Sequence, residues 1–171
     1  MPRTSDARQR AIDATATLLC RQGYAATGLN EILEASGAPK GSFYFHFPGG
    51  KEELATEAIA SAGSYVEHVI VTSLTSAKSA EHGIRLVAKA FATWMARSDY
   101  TEGCPVTTVT LETPPGSGPL ADACAAALSS WLEALSVFFV EHGYPPARAE
   151  SLASVTLCSL EGSFVLARSQ M

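Results

Sequence analysis

Apolar residues recur at steps of three and four along almost the whole chain, and no Asn-Gly or Asp-Gly hairpin signal interrupts them. That period matches one face of a helix and leaves no room for alternating strands. The sequence therefore predicts an all-α fold. At 171 residues the chain is long enough to bury a core. Its 47% hydrophobic and 17% charged residues match a globular protein rather than a disordered one.

Glycine and proline punctuate the helices. The first is predicted over about residues 5–22, capped by Thr4 or Ser5 and stopped by Gly23. Ile12, Ala16 and Leu19 form its inner stripe. A short second helix follows Thr27, a candidate N-cap, turns Leu29, Ile32 and Leu33 inward, and ends at Gly37. Pro39 suits the first turn of a third helix over about residues 40–47, which Pro48-Gly49-Gly50 breaks. A long fourth helix starts near Lys51, where Glu52 and Glu53 complement the positive helix end. Further helices are predicted over about residues 79–97, 119–142 and 147–169. Between the first two of these, Val106-Thr107-Thr108-Val109-Thr110 favours a strand by propensity. An isolated strand has no partner in a helical chain, so a short helix is expected there.

Three short N-terminal helices, the last two joined by Ser36-Gly37-Ala38, describe a helix-turn-helix over residues 1–50. The second helix of such a unit enters the major groove, so its tip must be small and polar. Pro39-Lys40-Gly41-Ser42 meets that need. Lys40 can donate to guanine O6 and N7, and Ser42 can pair with several bases. Gly41 costs a helix about 1 kcal/mol relative to Ala, which close approach to DNA would justify. Phe43 and Phe47, four apart, share the core face, leaving Tyr44 and Phe45 to point towards DNA. Phe45 also suits the core, and His46 suits packing or backbone capping at the helix end. Thr27 and Lys51 stand at helix N-termini, which are natural phosphate sites.

Charge supports this polarity. Residues 1–51 carry six Lys/Arg against four acids, net +2, whereas the remainder carries six against thirteen, net −7. A basic head can approach phosphate while an acidic body is repelled by it.

The stretch Thr27-Gly28-Leu29-Asn30-Glu31-Ile32, then Ala35-Ser36-Gly37-Ala38, then Lys40 through Pro48, then Gly50-Lys51-Glu52-Glu53-Leu54 resembles the TetR family signature. The likeness covers about residues 8–55. It implies phosphate contacts from Thr27, Tyr44 and Lys51, and base-facing positions at Lys40, Gly41, Ser42 and Phe45. His46 matches the family's histidine near the end of the reading helix. Phe43 stands where leucine is usual. Gly49-Gly50 makes the turn one residue longer than the commonest form, resembling a subgroup of regulators of multidrug and lipophilic-compound response. The resemblance also implies that residues 51–171 form a helical effector-binding and dimerisation domain.

That second part offers no G-x-S-x-G, no H-E-x-x-H and no phosphate loop, so no enzyme activity is expected. Cys20, Cys104, Cys124 and Cys158 lack C-x-x-C spacing and stand apart from the histidines, so neither cofactor nor metal is expected. Candidate lining for a lipophilic effector is Phe91, Trp94, Met95, Cys104, Thr108, Glu112, Trp131, Glu161 and Phe164. Each also suits ordinary core, and a buried Glu112 or Glu161 would select a cationic ligand. Leu128, Leu135, Phe139, Ser159 and Gly162 are the candidate homodimer contacts, on one strongly apolar helix and one with a small-residue face.

Residues 1–10 lack the apolar core of a signal peptide. The apolar stretch 121–140 is interrupted by Asp122, Ser129, Ser130 and Glu133, so no membrane span is expected. The functional expectation is a cytoplasmic repressor that binds a double-stranded DNA operator and is released by a small lipophilic effector. Two alternatives stand beside it. One is a thiol-based redox sensor of the same fold, triggered at Cys104 or Cys158. The other is a helical lipophile-binding protein or enzyme that never touches DNA.

Overall fold

The computed structural model describes residues 4–170 as eight helices. They are α1 (Thr4–Ala26), α2 (Leu29–Ser36), α3 (Lys40–His46), α4 (Gly50–Thr75), α5 (Ala80–Arg97), α6 (Pro105–Glu112), α7 (Pro119–Glu141) and α8 (Pro146–Ser169). The caps expected at Thr4 and Ser5 fall outside the described side chains.

The chain packs as two compact units. The first joins the residues up to Gly63 with Pro105–Ala126, and the second joins Ser64–Cys104 with the residues from Ala127 on. This division differs from a linear boundary after Gly50. Helix α4 runs unbroken past that point, and α6 packs against α1 in the first unit.

In the first unit, α1 breaks at Gly23 (φ 77°, ψ −176°), where the sequence places its stop. The N-cap of α2 is Gly28 rather than Thr27. Glu31 reaches back to the Gly28 N–H at 3.5 Å, and Gln22 Nε2 donates to the same carboxylate at 2.7 Å. Gly37 is left-handed (φ 63°) and closes α2 through Ala38 N–H to Leu33 O at 3.2 Å. Pro39 caps α3 from outside rather than entering its first turn. At the start of α4, Glu53 accepts from Gly49 N–H at 2.7 Å, satisfying a donor at the helix mouth. Leu19, Ile32, Phe43, Phe47, Leu54 and Ile59 form the core of this unit. Full burial is worth about 1.5–3 kcal/mol for each such side chain.

Helix α6 is the β-branched run. Val106 and Val109, one helical turn apart, are wholly buried, and Thr110 Oγ donates to Val106 O at 2.7 Å. Burial at helical spacing, with Pro105 in the opening turn, overrides the strand propensity.

In the second unit, Ser79 caps α5 by accepting from His82 N–H at 3.2 Å. Gly83 lets the Phe138 ring lie against the α5 backbone, since a Cβ there would stand 2.4 Å from Phe138 Cζ. Phe91, Trp94 and Phe164 cluster with ring centroids 5.5–6.4 Å apart. Trp131 and Leu135 are fully buried within the chain.

Candidate nucleic-acid interface

The reading helix α3 has two contrasting faces. Phe43 and Phe47 are 2% and 1% exposed, while Tyr44 and Phe45 are 55% and 80% exposed. Phe43 anchors the helix, with ring contacts to Phe47 at 5.5 Å and Tyr44 at 5.1 Å. Lys40 and Gly41 are exposed, and His46 is half-buried with its ring 5.3 Å from Phe45. A Cβ added to Gly41 would meet no atom within 4 Å, so nothing inside the chain requires glycine there. Ser42 is half-buried, and its hydroxyl donates to Pro39 O at 2.9 Å, tightening the first turn.

Two expected phosphate residues are placed differently. Thr27 is 1% exposed, and its hydroxyl donates to Gly23 O at 2.6 Å. It secures the turn before α2. Lys51 does stand at the start of α4, but its ammonium donates to Tyr24 O at 2.6 Å and lies 4.1 Å from the Tyr24 ring centroid. Burial pushes its pKa down, against the opposing pull of Glu112.

Other head cations are also engaged within the chain. Arg8 pairs with Glu57 at 2.5 Å and lies 5.2 Å over the Phe47 ring. Arg10 bonds Asp6 at 2.8 Å and Ser36 O at 3.2 Å. Glu57 lies outside residues 1–51, so its pairing with Arg8 lowers the positive charge of the head below the net +2 of its own residues. The contacts of Arg8 with Glu57 and of Arg10 with Ser36 span 49 and 26 residues, and no local pattern announces them.

The expected effector residues separate. Phe91, Met95, Cys104, Trp131 and Phe164 are buried in the second unit, with Trp94 and Glu161 half-buried. Glu161 Oε1 is shut off from solvent. Trp94 Nε1 donates to Glu102 at 3.4 Å, adding a carboxylate that the sequence reading did not include. Thr108 is half-buried in the first unit. Glu112, in that same unit, is exposed, and its carboxylate accepts from Tyr24 N–H at 2.6 Å and Ala25 N–H at 3.0 Å. It braces α1 instead of facing an apolar cavity.

The expected dimer residues also divide. Ser159 is exposed, and Leu128 and Gly162 are half-buried. Leu135 and Phe139 are 0% and 4% exposed within the chain, so they have no surface to offer a second copy. The strong apolar period of α7 marks its intramolecular face.

Residues 11–58 match the family described as bacterial regulatory proteins, tetR family. Residues 80–171 match the C-terminal domain of LmrA/YxaF-like transcriptional regulators. The chain is 35% identical over 161 residues to the HTH-type transcriptional regulator LmrA of Bacillus subtilis, covering 94% of this chain and 86% of that protein. It is 36% identical over 166 residues to the HTH-type transcriptional regulator YxaF of the same organism, covering 97% and 87%. A solved TetR transcriptional regulator from Chloroflexus aurantiacus superposes with a TM-score of 0.82 at 27% identity, over 99% of this chain and 88% of that one.

Together, the helix-turn-helix head and these matches define a DNA-binding transcriptional regulator rather than an enzyme. The chain belongs to the TetR family, and its C-terminal part is of the LmrA/YxaF-like type.

Proposed function

We propose that the protein is a homodimeric, cytoplasmic repressor that binds a double-stranded operator and releases it when a small lipophilic effector occupies the C-terminal part. The observation that carries the DNA reading is the two-faced α3. Phe43 and Phe47 lock one side into the core, leaving Lys40, Gly41, Tyr44 and Phe45 exposed. On this reading Lys40 and Ser42 address base edges, Gly41 permits close approach, and Tyr44 donates to a phosphate. Phe45 packs on the groove wall, and His46 steadies the end of the helix.

Two observations support a homodimer. Helix α7 is long and apolar enough to cross a membrane by length and composition, yet only 28% of its most apolar window is buried in the chain. Helix α8 leaves Val155, Val165 and Leu166 exposed at 62–66%. On a helical wheel Val155 and Leu166 share one face with Ser159 and Gly162, an apolar and small-residue surface on which a second helix can pack. A two-fold copy would bury both helices and set two reading helices on one duplex. We assign Leu128, Ser159 and Gly162 to this interface, supplemented by Val140, Val155 and Leu166.

The aromatic group Phe91, Trp94 and Phe164, with Met95 and the carboxylates of Glu102 and Glu161 on the same two helices and the following loop, suits a lipophilic effector with a polar end. Such a ligand acts by binding one head spacing better than another. A gel-shift titration against the protein's own upstream DNA, at low salt with unrelated DNA as competitor, tests the reading. Specific retention is expected. Equal binding to both DNAs, or none, removes it.

A further inference from the structure

One arrangement in the first unit lies outside the DNA-facing edge. The turn from Gly23 to Thr27, which leads directly into α2, is gripped from two directions. On one side, Glu112 of α6 accepts from the consecutive N–H groups of Tyr24 and Ala25, at 2.6 and 3.0 Å. On the other, Lys51 donates to Tyr24 O at 2.6 Å while stacked on the Tyr24 ring. The carboxylate sits so close that a Cβ on Gly23 would stand 2.1 Å from Glu112 Oε1, and Gly23 has φ 77°, which suits glycine. The two charges thus hold opposite ends of one residue's backbone. Glu112 lies 88 residues from Tyr24, within the C-terminal segment of the family match, yet it holds the head.

We propose that Glu112 and Lys51 are positioning residues for DNA reading: together they clamp the Tyr24 backbone, set the turn into α2, and so aim α2 and α3 at the groove. On this assignment Lys51 is not a phosphate ligand in this chain, although it stands where the family resemblance places one. The charge-assisted hydrogen bond and ring contact hold the half-buried Lys51 against the Tyr24 turn. The proposal rests on the DNA-binding reading of the head.

The two roles of Lys51 differ in two measurable ways. A lost phosphate contact weakens every DNA sequence alike and flattens the dependence of log K on log salt by about 0.9. A lost positioning contact leaves that slope unchanged and lowers operator affinity relative to random DNA. Fluorescence anisotropy with a selected operator and a scrambled duplex, over a range of salt, is the experiment for wild type, Lys51→Ala, Glu112→Ala and Glu112→Gln. We expect Lys51→Ala and Glu112→Ala each to lower the operator-to-random ratio by about ten-fold, the scale of one charge-assisted hydrogen bond. The salt slope should not change, and the double variant should be no worse than either single one. Glu112→Gln, which keeps an acceptor oxygen, should recover most of the ratio. A flatter slope with equal loss on both duplexes in Lys51→Ala overturns the assignment, as does an unchanged ratio in Glu112→Ala. If Glu112→Ala does not fold, the Lys51→Ala result decides alone. Failure of the wild type to prefer any duplex would sink the DNA reading itself, a separate outcome.

Discussion

Gly41 illustrates how one position can be read twice. Within the chain it is a cost, because a glycine in a helix forfeits up to about 1 kcal/mol relative to alanine, and Gly41 stands in the first turn of α3. No neighbour requires it, since a Cβ there points into open space. On the proposed reading, the glycine lets DNA backbone or base edges approach α3 closely. Gly41→Ala should therefore raise the unfolding free energy by up to about 1 kcal/mol and weaken operator binding. Thermal denaturation and anisotropy on the same preparation check both signs. Unchanged affinity would mean that the glycine has no recognition role. Thr27 shows the opposite case. Its position before a helix suggests a cap or a phosphate ligand, but its hydroxyl is consumed by Gly23 O.

Among the helices, α6 and α7 show what periodicity can and cannot decide. The run Val106–Thr110 is helical because two valines one turn apart are buried, and tertiary burial outweighs propensity. In α7 the apolar pattern is strong enough to predict burial, but it carries no label for the covering partner. Trp131, Leu135 and Phe138 face the chain's own core, so the surface left for a second copy is the flanking one. Leu166, 62% exposed on α8, is part of the proposed contact. Leu166→Glu should leave the protomer folded, because the side chain is mostly in water, yet convert the dimer to monomer through a buried unpaired charge. Sedimentation velocity reads the change. A dimer that persists at micromolar concentration would move the interface elsewhere.

For the molecule as a whole, the thiols discriminate between the repressor and its redox rival. Cys20, Cys104 and Cys124 are buried, and burial pushes the Cys124 thiol up, away from the reactive thiolate. Only Cys158 is exposed. Brief alkylation of the native protein should label at most that one cysteine, with the other three appearing on denaturation by mass spectrometry. Peroxide should leave operator affinity unchanged in Cys158→Ser. Rapid native labelling of Cys104, or a loss of DNA binding under peroxide in that variant, would favour the redox alternative.

Helix number, most helix ends and the recognition unit are legible from local chemistry. Gly23, Gly37 and the Pro48-Gly49-Gly50 break act within a turn of themselves, and the i, i+4 pair Phe43 and Phe47 points inward because helix geometry leaves no other choice. Partners distant in the chain are another matter. That Glu112 binds the Tyr24 turn, that Lys51 lies inward, that Arg8 meets Glu57, and that α6 packs with the head rather than with the second unit all depend on which surfaces meet after folding. A charge's nearest opposite in space has no signature in its nearest neighbours along the chain. The helices were therefore readable one by one, while the uses of their charged side chains emerged only from the packed chain.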